Sequence, residues 1–236
     1  MKKLLLPALL TLLLALPAGA LAAQLTLHDI LGYPGTQKYA DTKAEYVQLS
    51  DKDGTTDDAT AFLLLESAGF ANANTLGIYG FSSDGNTLTL GQTLEVFSGP
   101  DSRYDSATLR FDLAAGTVTN QSTGLSAYIG PMFGFYITTP QDKGYTYYTH
   151  QALNADGLDH FMIFDTSDNS LRKLWGSDVI LAIEDLYGGG DMDYNDMVAG
   201  ISDVNATAPV PEPATMLLLG TGLIGLAGVG RKKFAK

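Results

Sequence analysis

Residues 184–197 read EDLYGGGDMDYNDM, placing five carboxylates (Glu184, Asp185, Asp191, Asp193 and Asp196) and the carboxamide of Asn195 around three consecutive glycines, with no Lys or Arg among them. Two like charges ~5 Å apart at an effective dielectric near ~20 repel by roughly 3 kcal/mol. A folded loop of this composition therefore calls for a counter-charge. A hard divalent cation supplies one, because Ca2+ takes six to eight oxygen ligands from carboxylates, amide oxygens and main-chain carbonyls. Asp191, Asp193 and Asn195, spaced by two, can converge on one ion, and Glu184, Asp185 or Asp196 can complete its shell. Gly188–Gly190 allow a tight backbone path. The chain has no Cys, and the loop has no His, which argues against zinc or copper. The order is not that of an EF-hand, since Asp196 stands where that loop needs Gly and Ser202 where it needs Glu. The alternative to an ion is an acidic, hydrogen-bonded turn.

The loop is bounded by two apolar runs, VILAI (179–183) and MVAGI (197–201). Paired antiparallel, they leave a connection of 13 residues from Glu184 to Asp196, against the ~2–5 of an ordinary hairpin. Similar short runs recur at 45–49, 61–67, 75–81, 93–97, 107–113, 133–139, 145–150 and 160–164, separated by Gly, Asn, Asp, Ser and Pro. No segment of the body sustains a 3.6-residue apolar period for a dozen residues, and the best helix candidate is AQLTLHDILG (23–32). These features predict an all-β fold, a single antiparallel β-sandwich or jelly-roll-like domain. Asp84, Asp101 and Asp105 read as turn formers, SDKDGTTDD (50–58) as a solvated acidic loop, and FDTSDNS (164–170), with Asp165 and Asp168, as a hairpin turn. His160 reads as a hydrogen-bonded structural residue, and Tyr145, Tyr147, Tyr148 and Trp175 as core aromatics that also offer the most obvious platforms for a ligand.

The ends of the chain set its compartment. Lys2 and Lys3, an apolar run from Leu4 to Leu16 and the small-x-small sequence Ala20-Leu21-Ala22 predict a cleaved secretory signal peptide at 1–22. A lead-in segment (23–46), the β-sandwich domain with its terminal acidic hairpin (47–203) and a linker (204–213) follow. From Ala214 to Gly230 there are 17 uncharged residues, a helix of roughly 26 Å at ~1.5 Å per residue. They predict a transmembrane segment at 214–230, with a basic cytoplasmic tail at 231–236 and the body outside. Pro211, Glu212 and Pro213, the apolar helix, and the cluster Arg231, Lys232 and Lys233 together resemble the PEP-CTERM sorting signal of Gram-negative bacteria. That resemblance implies recognition by an exosortase-type processing enzyme, transit through the inner membrane, and delivery to the cell surface or extracellular matrix. The body, 24–209, carries eight basic and 25 acidic residues, a formal charge of −17. Such a charge disfavours nucleic acid and favours cations.

The acidic stretch itself resembles the terminal segment of the bacterial family called domain of unknown function 4114, with Glu184, Asp185, Leu186, Gly188–Gly190, Asp191, Asp193, Tyr194, Asn195 and Asp196 carrying the pattern. LNADGLDHFMIF (153–164), with Asp156, Asp159 and His160, is similar to a second hallmark of that family, and residues 63–79 to its earlier portion. The resemblance implies an exported, β-sandwich-like module with suspected calcium binding. The three histidines, His28, His150 and His160, lie in no nucleophile–base setting, and no G-x-S-x-G, His-rich metal motif or P-loop occurs. The expectation is a non-catalytic, calcium-binding surface or matrix protein associated with adhesion, exopolysaccharide or biofilm; the alternatives are an extracellular polysaccharide hydrolase and a metal-free structural surface module.

Overall fold

The computed structural model describes residues 27–31, 40–51, 54–66, 73–84, 87–101, 104–140, 142–167 and 176–207. The signal peptide, the linker beyond Thr207, the transmembrane segment, the Pro-Glu-Pro motif, the basic tail and Trp175 lie outside these residues. Among the described residues no helix is long and apolar enough to cross a membrane.

Among the described residues, thirteen strands form two antiparallel sheets. The first contains β1 (Tyr46–Leu49), β3 (Thr75–Ser83), β4 (Leu88–Phe97), β8 (Met132–Thr139), β9 (Tyr145–Tyr148) and β13 (Val204–Thr207), in the order β13-β1-β8-β3-β4 with β9 also on β8. The second runs β10-β11-β12-β2-β5-β6-β7, from β10 (Phe161–Asp165), β11 (Val179–Ile183), β12 (Met197–Ile201), β2 (Thr56–Glu66), β5 (Ser106–Asp112), β6 (Thr117–Asn120) and β7 (Ser126–Tyr128). Alternation along the strands builds the interior. Val47, Leu49, Ile78, Phe133, Phe135 and Ile137 of the first sheet meet Leu63, Leu109, Phe111, Ile163, Leu181 and Ile201 of the second. Phe111 and Phe133 stack with ring centroids 5.3 Å apart. The fold is therefore a β-sandwich, as its turn-punctuated runs predict.

The runs VILAI and MVAGI show no alternation because both of their faces are covered. Val179, Leu181 and Ile183 point into the main core. Ile180, Ala182 and Val198 enter a second cluster on the outer face, with Leu64, Leu65 and Phe164, capped by Leu27 and Leu31 of the short helix α1 (Leu27–Leu31) and by Tyr194. The described helix is five residues long and lies in the C-terminal half of the stretch whose sequence favours one.

Some segments differ from expectation. Strand β2 begins at Thr56, so Asp57 and Asp58 pair with Phe111 and Arg110 instead of ending a solvated loop at 58. Ladder hydrogen bonds to β5 override the polar composition there. Residues 204–207, expected to open the linker, pair with β1. Tyr147 is fully buried against His160, which removes it as a ligand platform. Asp84 and Asp101 accept the N–H groups of Thr87 and Ser98 in local turns, and Asp165 accepts that of Ser167.

Candidate functional site in the acidic loop

Strands β11 and β12 pair with Ile183 opposite Met197, so Glu184–Asp196 forms one closed excursion from the end of the hairpin. Its backbone is left-handed at Gly188 (φ 82°), Gly189 (81°), Gly190 (46°), Met192 (58°) and Tyr194 (54°). For Met192 and Tyr194 this conformation costs roughly 1–2 kcal/mol each, and the contacts of Tyr194 offset it. The Tyr194 ring is buried in the outer apolar cluster. Its Oη donates to the Asp159 carbonyl at 2.9 Å. The loop is thus clamped at Tyr194, with the acidic side chains of Asp191 and Asp193 exposed on either side of Met192.

A second stretch forms the shelf beneath. The ring of His160 is fully buried and lies flat on Tyr147, with centroids 3.7 Å apart. Nδ1 donates to the Glu184 carbonyl at 2.9 Å, and Nε2 faces Asp156 Oδ2 at 3.0 Å. Asp156 Oδ2 also accepts the Gly188 N–H at 2.9 Å, and its Oδ1 accepts that of Leu158 at 3.1 Å. Burial pushes the Asp156 carboxyl up, but these N–H groups and His160 outweigh it and hold the carboxyl below its ordinary value. With Asp156 ionised, both ring nitrogens of His160 face acceptors. Asp142 adds a further tie, accepting the Tyr187 N–H at 2.7 Å and the Tyr147 hydroxyl at 3.0 Å.

The carboxylates sit on this shelf in two sets. Glu184, Asp191 and Asp193 each place an oxygen within 4.8 Å of the others, and so do Glu184, Asp185 and Asp196. Glu184 belongs to both. It is 1% exposed, and no hydrogen-bond donor among the described residues reaches either of its carboxylate oxygens. Gly190 makes room for it, because a Cβ there would lie 2.0 Å from Glu184 Oε1. Asp185 is 2% exposed; its Oδ2 accepts Asn74 Nδ2 at 2.6 Å, and its N–H donates to Asp196 Oδ2 at 3.1 Å. The Asn195 carboxamide donates to Asp193 Oδ2, and the Asn195 N–H donates to Asp193 Oδ1 at 3.1 Å.

Burial, reinforced by the charges of Asp196, Asp191 and Asp185, pushes the Glu184 carboxyl up to about 9. Burial and Asp196 push Asp185 up to about 6, against the opposing Asn74 bond. Asp193 is raised by burial and by Asp191 and Asp196. In each case burial away from water is the larger cause, and the neighbouring carboxylates add to it. An all-oxygen, multiply anionic donor set with a buried, donor-free carboxylate at its centre suits a hard cation.

All six loop residues expected to be ligands lie in this one excursion, although Asn195 is turned toward Asp193 as a donor. Sequence reasoning missed the supporting roles of Asn74, Asp142 and Asp156. The last was signalled by the stretch 153–164, which supplies Asp156, Asp159 and His160, all three of them in contact with the loop or its flank. His160 is the buried, hydrogen-bonded residue expected. The sorting residues Pro211, Glu212, Pro213, Arg231, Lys232 and Lys233 lie outside the described residues.

Comparison with known proteins matches these two parts of the chain. Residues 125–202, which run from β7 through β12 and contain both shelf and loop, match the model of the family described as Domain of unknown function (DUF4114). Residues 209–232 match the PEP-CTERM protein-sorting motif. No curated protein and no solved structure matches the chain. The sorting motif supports an exported protein that is handled by an exosortase. Over residues 125–202, the acidic loop and the strands that hold it, the chain is thus similar to the domain-of-unknown-function-4114 family, and a match to the PEP-CTERM sorting motif follows.

Proposed function

We propose that the loop binds calcium through Glu184, Asp185, Asp191, Asp193, Asn195 and Asp196, and that the protein is a non-catalytic component of the cell surface or extracellular matrix of a Gram-negative bacterium. The observation that carries the calcium reading is Glu184: an almost fully buried carboxylate with no donor among the described residues on either oxygen. A buried charge left unpaired is strongly destabilising, and a divalent cation supplies both the charge and the coordination that the surrounding chain lacks. Export favours this reading, since calcium is more available outside the cytoplasm than within it.

The exosortase is the expected processing partner, acting on the Pro-Glu-Pro motif and the apolar segment behind it. Association with extracellular polysaccharide is the role that best suits the exposed surface beside the loop. Tyr187 is 48% exposed, and its ring stacks on Tyr145 with centroids 4.8 Å apart, giving an aromatic face on the same loop that carries Asp191 and Asp193. A second reading, a metal-free acidic turn, draws on the upward shift of Glu184, whose proton would then be held against Asp196.

Thermal unfolding of the full-length protein in calcium, magnesium and chelator separates the two. Binding confined to the folded state adds about 2.7 kcal/mol at ion concentrations ~100-fold above the dissociation constant. A metal-free turn shows no gain in either ion. Binding to polymer without release of sugar products supports the surface role; release of products from the same polymer contradicts it.

A further inference from the structure

The calcium reading treats the six loop residues as one shell, but their oxygens do not form one set. Ligands of a single calcium lie at roughly 2.3–2.6 Å from it. Two oxygens on the same ion are therefore at most about 5 Å apart, the separation of ligands on opposite sides. Asp191 and Asp193 meet this limit with Glu184, and Asp185 and Asp196 meet it with Glu184, yet the two aspartate pairs are not joined in one set of mutual neighbours. Only Glu184 is common to both.

From this division we infer that the loop holds two cations, an inner one on Asp185 and Asp196 and an outer one on Asp191 and Asp193, bridged by the carboxylate of Glu184. The inference rests on the calcium reading and specifies its stoichiometry. Glu184 satisfies what a bridge requires. It has two oxygens, neither accepts a hydrogen bond from the described residues, and it is almost fully buried. Gly190 lies against it, with no side chain to intervene. Charge points the same way. Five carboxylates facing one dication retain a net charge of −3, whereas two dications leave −1, so the second ion removes most of the repulsion that the first leaves behind.

The two positions differ in environment. The inner one is walled by Asp185, which is 2% exposed and fixed by Asn74. The outer one is formed with Asp191 and Asp193, both of which face solvent. The inner ion therefore exchanges slowly and holds the hairpin, while the outer ion exchanges freely and keeps coordination positions open to oxygen ligands from outside.

The test is native mass spectrometry of the full-length protein in detergent, titrated with calcium chloride, together with its Asp185→Asn, Asp191→Asn/Asp193→Asn and Glu184→Gln variants. Far-ultraviolet circular dichroism checks that each is folded; all three replacements remove repulsion from the ion-free loop, so folding is expected. The expected counts are two calcium ions for the native protein, one for Asp185→Asn, one for the double variant, and none or one weakly held for Glu184→Gln. A single ion in the native protein, lost in both aspartate variants, overturns the bridged pair and leaves the one-shell reading standing. No calcium in the native protein overturns both.

Discussion

The carboxylate of Glu184 occupies the space that a side chain at residue 190 would fill, with Oε1 only 2.0 Å from where a Cβ of Gly190 would stand. Gly190 is therefore part of the site and not a flexible spacer. Gly190 combines a left-handed φ of 46° with this close approach, whereas Gly188, at φ 82°, has nothing within 4 Å of its own Cβ position.

Replacing the two glycines separately distinguishes packing from backbone strain. Gly188→Ala pays for the left-handed conformation alone, about 1–2 kcal/mol. Gly190→Ala adds displacement of Glu184, and is expected to lower calcium affinity at least tenfold while Gly188→Ala changes it less. Isothermal titration calorimetry on both variants measures the difference. Equal affinities would separate Glu184 from ion binding.

The pH dependence of stability follows from the two raised carboxyls. Glu184 moves from 4.5 up to about 9, and Asp185 from 3.8 up to about 6. Between the ordinary and the raised values the folded protein holds more protons than the unfolded chain, so stability without ion is greatest at the acid end of that window and falls as pH rises from about 4 to about 9. Asp156, held below its ordinary value, acts in the opposite sense and loses its contribution only in stronger acid. Calcium competes with the protons on Glu184 and Asp185, so its affinity rises over the same window. Urea titrations from about pH 5 to pH 8.5, with chelator and with calcium, should give a falling line and a flatter or rising one.

His160 joins the shelf to the loop through the Glu184 carbonyl and Asp156. The replacement His160→Phe keeps a ring on Tyr147 but leaves that carbonyl without its donor. A cost of about 1–3 kcal/mol is expected, with calcium affinity reduced because the main chain at Glu184 is released. Denaturant midpoints and calorimetry read the two effects separately.

Much of this arrangement is legible in the sequence, and the remainder shows where reading by type and spacing stops. The sandwich follows from short runs and turn residues, and VILAI and MVAGI are recognisable as the flanks of a hairpin. Asp57 and Asp58 read as loop because their polarity says nothing of the ladder they make with Phe111 and Arg110. Val204–Thr207 reads as linker for the same reason, its partner Tyr46–Leu49 being more than 150 residues away. In the loop, the residue types announce an oxygen-rich site. They do not reveal that Glu184 stands between two pairs of aspartates, since that depends on left-handed turns at Met192 and Tyr194 which no propensity favours. Asn74 and Asp142 were invisible because both reach the loop from distant parts of the chain.

The sorting motif gives an expectation for the mature protein. Intact-mass measurement on protein recovered from the envelope or medium should show loss of residues 1–22 and of the segment after the Pro-Glu-Pro motif at 211–213. A product retaining residues 214–236 would mean that the anchor is kept.

The most direct test of the central claim is thermal unfolding of the full-length native protein and its Glu184→Gln variant, each with millimolar calcium and with chelator. A gain of about 2.7 kcal/mol corresponds to roughly 5–10 °C for a body of this size. The account requires calcium to raise the melting temperature of the native protein by about that amount, and the chelated variant to melt above the chelated native protein while gaining little from the ion. A native protein whose melting temperature is the same in calcium and in chelator contradicts it.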